Sequence, residues 1–168
     1  MAKSQKPTPT WGALLEPDAR TYERLRRASR AATRLVRCGG GRDAVVIAPL
    51  RRGLAALDAM NLPVLDGYSV LADHLRQELI VLVASGQANW AGVPGVRVLS
   101  CGSWLLVPAC GTDGSLASAW LSPPKSRAPW QGCDGQPCLG RVAVAVDVAG
   151  LRDALAAVDR PVLSSAGS

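Results

Sequence analysis

The sequence predicts a single α+β (mixed α/β) domain. The expected architecture is a mixed sheet with an antiparallel three-strand meander, flanked by an N-terminal basic amphipathic helix and a C-terminal helix. Three observations point there. The 168 residues are 48% hydrophobic and 19% charged, enough apolar material for one core. Short β-branched runs, "AVVIAPL" (44–50) and "LIVLVASG" (79–86), end at Pro or Gly as strands do. Helical spacing of apolar residues recurs near each end of the chain.

Residues 1–15 have little periodicity and read as a mobile tail anchored by Trp11. The domain proper is expected over 16–160, and 161–168 reads as a second tail. "EPDARTYERLRRASRAATRLVRCGGG" (16–41) reads as one helix: Pro17 and Asp18 suit its start, and Gly39–Gly41 its stop. On that helix Tyr22, Leu25, Ala28, Ala32, Leu35 and Val36 share a face. Arg20, Arg24, Arg27, Arg30, Arg34 and Arg37 form a stripe opposite.

The stretch 44–50 reads as a buried strand, and "RRGLAALDAMNL" (51–62) as a short helix closing before Pro63. Residues 63–67 suggest a short strand and turn, and 68–78 is ambiguous, with Val70, Leu71 and Leu75 suiting a short helix. The run 79–86 is the strongest strand and belongs at the sheet centre. The strands of the meander are expected at Val96–Leu99, Trp104–Val107 and Ala119–Ser122. The Pro/Gly-rich stretch 123–140 is a long loop. Val142–Val146 reads as a strand, and the following helix places Leu151, Ala154, Leu155 and Val158 on one face.

Charge is uneven. Residues 1–52 carry 12 Lys/Arg against 4 Asp/Glu, a balance of +8. Residues 53–168 carry 7 against 9, a balance of −2. An arginine stripe of this kind suits a phosphate backbone, each contact adding salt-dependent affinity. The plainer reading is a solvated face or a docking surface for an acidic protein, in a chain with 16 Arg, 3 Lys and no Phe.

Other chemistry is thinly represented. His74 is the sole histidine, so it lacks the second histidine that common metal and nucleophile–base sites use. Cys133 and Cys138, with four residues between them, sit in a glycine- and proline-rich loop, without the second close pair of a zinc knuckle. Cys38, Cys101 and Cys110 complete an odd count of five, which fits thiols better than a disulfide framework. Neither a GxSxG elbow nor a phosphate-binding glycine signature appears, and the expected strands 44–50, 79–84 and 96–107 carry no Asp or Glu. No apolar run reaches the roughly 20 residues of a membrane span. The opening "MAKSQKPTPTW" lacks the apolar core of a secretory signal, so a cytoplasmic location is expected.

The pieces "DAVVIAPLRRGLAALDAMNLP", "ELIVLVASG" and "GVRVLSCGSWLLVPACGTDGSLASAWLSPP" together resemble a known pattern. It is that of the N-terminal domain of actinobacterial bifunctional DNA primase/polymerases, and more closely of small actinobacterial proteins with the same texture. The resemblance covers about half of the chain, residues 43–124. In catalytic members of that family the first strand ends in two metal-binding aspartates one residue apart. Ala48 and Leu50 stand there in this chain. The family's histidine falls near Glu78, and its later acidic residue at Arg97. The resemblance therefore implies a retained fold, lost polymerase chemistry and a nucleic-acid-related ancestry.

The expectation is a non-enzymatic binding module with neither cofactor nor metal. DNA or RNA would be contacted through Arg20, Arg24, Arg27, Arg30, Arg34 and Arg37, helped by Arg51 and Arg52. The alternative is a protein-interaction accessory docking on an acidic partner, with no membrane role. A zinc protein or hydrolase, resting on His74 and the cysteines, is the last alternative.

Overall fold

The computed structural model describes residues 9–86, 89–125 and 144–160. Its chain-order elements begin with α1 (Ala19–Arg26), β1 (Thr33–Arg37), β2 (Arg42–Ile47) and α2 (Leu50–Ala59). Strands β3 (Val70–Asp73), β4 (Glu78–Ala84), β5 (Val96–Leu99) and β6 (Trp104–Pro108) follow. The short β7 (Gly114–Ser115), β8 (Ser118–Ser122) and α3 (Val148–Val158) complete the set.

Six strands form one sheet in the order β5-β2-β4-β3-β8-β7, and every pairing in it is antiparallel. The unbroken apolar runs within β2 (Ala44–Ile47) and β4 (Leu79–Ala84) have a simple cause: both faces are covered. Val45, Ile47, Leu79, Val81 and Val83 point into a core shared with α2 and α3. Ala44, Val46, Ile80 and Leu82 alternate with them and point into a second core. That second layer is a separate antiparallel ribbon, β1 with β6, contributing Val36, Leu105 and Val107. The fold is therefore α+β, with α2 and α3 on one face of the main sheet, a two-stranded ribbon on the other and α1 beside the edge strand β7.

The predicted helix over 16–41 is corrected. Only Ala19–Arg26 is helical, with Asp18 as N-cap accepting the Thr21 N–H at 3.0 Å. A short 3-10 turn covers Arg30–Ala32, and Thr33–Arg37 is strand. Two effects favour this outcome. Arginines three and four apart along a continuous helix repel one another, whereas on β1 Arg34 and Arg37 point to opposite faces. The helix also buries only Leu25, which stabilises by about 1.5–3 kcal/mol, while β1 gains a five-residue ladder against β6. The glycines read as a helix stop instead make a tight turn that carries the chain from β1 in the ribbon to β2 in the main sheet, two strands that do not pair with each other. Gly39 and Arg42 exchange backbone hydrogen bonds of 2.9 and 3.3 Å, and Gly40 and Gly41 both have positive φ, 64° and 89°.

The three strands of the expected meander form, but no two of them pair. Strand β5 lies beside β2, β6 beside β1, and β8 between β3 and β7. The turn Ser100–Ser103, closed by a 2.9 Å Ser103 N–H to Ser100 C=O bond, carries the chain from the main sheet into the ribbon layer. The ambiguous segment 68–78 is strand β3 plus a turn, because Val70–Asp73 completes the ladder beside the central β4. Residues 64–66 are a 3-10 turn where a strand was expected. Of the expected strand over 142–146, residues 144–146 are not strand, and 142–143 lie outside the described residues. So do 126–140 of the expected loop and both terminal stretches 1–8 and 161–168.

Two devices lock the helical layer. Trp11 is 1% exposed: its indole N–H donates to the Leu62 carbonyl at 2.7 Å, and its backbone N–H and that of Gly12 both donate to the Asp58 carboxylate at 2.7 Å. Residues 11–15 are thereby part of the folded domain. Arg52 makes a two-pronged bond with Asp159 at 2.7 Å and a 2.8 Å bond to the Pro94 carbonyl, tying α2 to the end of α3 and to the loop before β5.

Candidate functional site

The fold disperses the eight arginines expected to act together. Arg20 and Arg24 are on α1, Arg27 is its C-cap, Arg30 is in the following turn, and Arg34 and Arg37 are on β1. Arg51 and Arg52 lie on α2, on the other side of the main sheet. Arg52 is structural, as described above. Arg24 pairs with Asp113 at 2.6 Å, and Arg27 with Glu23 at 3.2 Å. Arg26 shares Glu23 at 3.0 Å and holds its carboxyl below the usual range. Arg34 lies on the inward face of β1, beside Val36, and its Nε is buried without a hydrogen-bond partner among the described residues.

Arg37 is different. It is exposed, on the outward face of the ribbon, directly opposite Trp104. Its guanidinium carbon sits 5.7 Å from the Trp104 ring centroid, within cation–π range. Trp104 itself is 50% exposed. Nothing in the local sequence distinguishes it from a core tryptophan. Its exposure follows from β6 joining the ribbon, where alternate residues face away from the second core.

That outward face lines a cleft of about 410 Å³ between the ribbon and the uncovered end of the main sheet. Leu35, Trp104 and Leu106 form the ribbon wall. Val46, Ile80 and Leu99 form an apolar floor, and Leu75 and Arg76, from the β3–β4 turn, stand opposite. Three of the six large hydrophobic side chains exposed among the described residues, Leu35, Leu75 and Trp104, converge here. Soluble domains rarely gather exposed apolar side chains without a use for them.

The polar groups of the cleft satisfy one another. Arg97 on β5 meets Glu78 on β4 across β2, with Nη1–Oε1 at 2.7 Å and Nη2–Oε2 at 2.9 Å. Asp73 accepts the backbone N–H groups of Leu75 and Arg76 at 3.0 and 2.9 Å. Of the two positions matched to catalytic aspartates by resemblance, Leu50 is buried on the helix side and Ala48 is half-buried, its N–H donated to Gly95.

His74 lies away from this cleft, in a second hollow of about 360 Å³ with Asp18, Thr21, Leu25 and Trp120. Burial pushes its pKa below the usual 6.5, against a smaller upward pull from Asp73, so the imidazole is neutral at pH 7. Cys38 is buried, and burial pushes its thiol up to about 11, with the Asp43 charge adding to the rise. Cys101 and Cys110 are exposed, while Cys133 and Cys138 lie outside the described residues. Among the described residues no group of three or more His, Cys, Asp or Glu is placed to hold a metal ion, and no helix is long and apolar enough to cross a membrane.

No family model, curated protein or solved structure matches the chain.

Proposed function

We propose that this chain is a non-enzymatic binding module that contacts nucleic acid with the segment running from α1 to β1. The carrying observation is electrostatic. Residues 19–37 hold seven arginines and one acid, Glu23, a balance of +6 that equals the net charge of the whole chain. Arg20, Arg24, Arg26, Arg27, Arg30 and Arg37 are all exposed there. Such a concentration attracts a polyanion and releases its counterions on contact. The contact set differs from the one the sequence suggests: Arg20, Arg30 and Arg37 lead, and Arg34, Arg51 and Arg52 fall away.

A primase/polymerase-like ancestry without polymerase chemistry belongs to the same proposal. Its support is that Glu78 and Arg97, matched by resemblance to two functional positions of that family, face each other in one cleft. An arginine in place of an acid there leaves an ion pair where a metal-binding group would be required.

The second reading, a protein-interaction accessory, is favoured by the exposed Leu35 and Leu75 beside Trp104. A binding titration separates the two. Labelled DNA and RNA are titrated from about 50 to about 300 mM salt, with wild type and an Arg20→Gln/Arg30→Gln/Arg37→Gln variant. The proposal expects a steep salt dependence whose log–log slope falls by roughly 2–3 in the variant. Absence of binding at low salt overturns it, and co-purification of a defined protein after nuclease treatment would favour the second reading.

A further inference from the structure

We propose that the nucleic acid is held single-stranded, with an unpaired base seated in the ribbon cleft against Trp104. This rests on the nucleic-acid reading above and specifies the form of the ligand. In a duplex the faces of the bases are stacked on one another and unavailable. A half-exposed indole offers a duplex backbone no more than its single N–H, but its ring face is a stacking platform for an unpaired base.

The dimensions and surroundings agree. A cleft of about 410 Å³ accommodates a base and part of its sugar, not a double helix. Leu35 and Leu106 extend the indole into a continuous apolar wall, and Leu75 faces it from the other side. Arg37 lies over the Trp104 ring, and Arg76, 72% exposed and 4.0 Å from the Asp73 carboxylate, lines the opposite wall, two positions where backbone phosphates would pass. The positive balance of residues 19–37 leads to the same ribbon through β1, so the charge complements this occupant.

The cleft also indicates what is not read. The Arg97 and Glu78 side chains are engaged with each other, and the Asp73 carboxylate with two backbone N–H groups. Few donors or acceptors remain to interrogate a base edge, so binding is sequence-tolerant, governed by stacking and charge.

The test compares a short oligonucleotide as a single strand and as a blunt duplex, by fluorescence anisotropy at one low salt concentration, for wild type, Trp104→Ala and Trp104→Phe. The single strand binds more tightly than the duplex. Trp104→Ala weakens the single strand at least about fivefold and leaves the duplex unchanged, while Trp104→Phe retains most of the affinity. A photocrosslink from a 5-iodouracil-bearing strand to Trp104 of the unaltered protein, located by mass spectrometry, gives the same answer without a variant. Equal affinity for both forms, an indifferent Trp104→Ala, or a crosslink that maps elsewhere overturns this inference and leaves the arginine reading standing. Absence of binding to either form overturns both. Loss of a nuclease-resistant protein partner in Trp104→Ala assigns the cleft to protein docking and overturns the inference as well.

Discussion

Glu78 and Arg97 meet across the intervening strand β2, joined by two hydrogen bonds of 2.7 and 2.9 Å. The two residues are unequal: the Glu78 side chain is 14% exposed and that of Arg97 48%. The pair clamps the edge strand β5 to the central β4 over the Val46 side chain. Arg97→Ala leaves a largely desolvated carboxylate without its partner, so it destabilises by about 1–2 kcal/mol after allowing for solvent at the arginine end. Glu78→Gln, which leaves the exposed arginine to water, costs less. Urea unfolding of the two variants checks the order, and a cheaper Arg97→Ala would show that the pair is a surface contact.

Trp11 ties the N-terminal segment to α2 and the residues that follow it. Trp11→Ala removes a fully buried indole and its bond to Leu62, a loss of about 3–5 kcal/mol. Asp58→Ala leaves the N–H groups of Trp11 and Gly12 without their acceptor and costs about 1–3 kcal/mol. Thermal melts followed by circular dichroism measure both, and a Trp11→Ala melt close to wild type would mean that residues 9–15 are a dispensable tail.

Gly53→Ala should destabilise, against the usual gain of about 1 kcal/mol for this change inside a helix. A Cβ at position 53 would come within 2.6 Å of Leu79 Cδ2 and 2.9 Å of Leu79 Cβ, where α2 rests on the sheet. Overpacking of this kind costs about 1–3 kcal/mol. The double variant Gly53→Ala/Leu79→Ala separates the steric cost from helix propensity, since its loss should fall short of the sum of the singles.

His74 gives stability a pH dependence of definite sign. Its folded-state pKa lies below the unfolded value near 6.5, so the unfolded chain binds the proton more readily. Stability is therefore undiminished above pH 6.5 and declines as the pH falls below it, until the folded form is itself protonated. Replacement by Gln should flatten the midpoint-against-pH curve below 6.5. A slope identical to wild type would assign the dependence to other groups.

Thiol reactivity should divide the cysteines by burial. Cys38, with its thiol pushed up to about 11, stays unmodified by iodoacetamide at pH 8 under native conditions, while Cys101 and Cys110 are alkylated. Peptide mapping by mass spectrometry reads the pattern directly. Fast modification of Cys38 would show that the ribbon opens from the sheet.

The sequence by itself determined the class of the fold, its central strand and two of its helices. Runs apolar at every position, as in Val45–Ile47 and Leu79–Val83, belong to strands covered on both faces. The spacing of Leu54 with Leu57 and of Leu151 with Leu155 belongs to helices covered on one. Such patterns are local, and burial reinforces them. Tertiary structure alone decided the fate of 28–37, which suits a helix by spacing and a strand by its β-branched Thr33 and Val36. Pairing with β6, eighty and more residues from the first helix in places, tipped the balance, and no local signal carries that information. The same pairing turned Trp104 outward, split the arginine stripe and made the cleft. A ribbon face is defined by its partner strand and by what lies beneath it, so the candidate site exists only once both are in place.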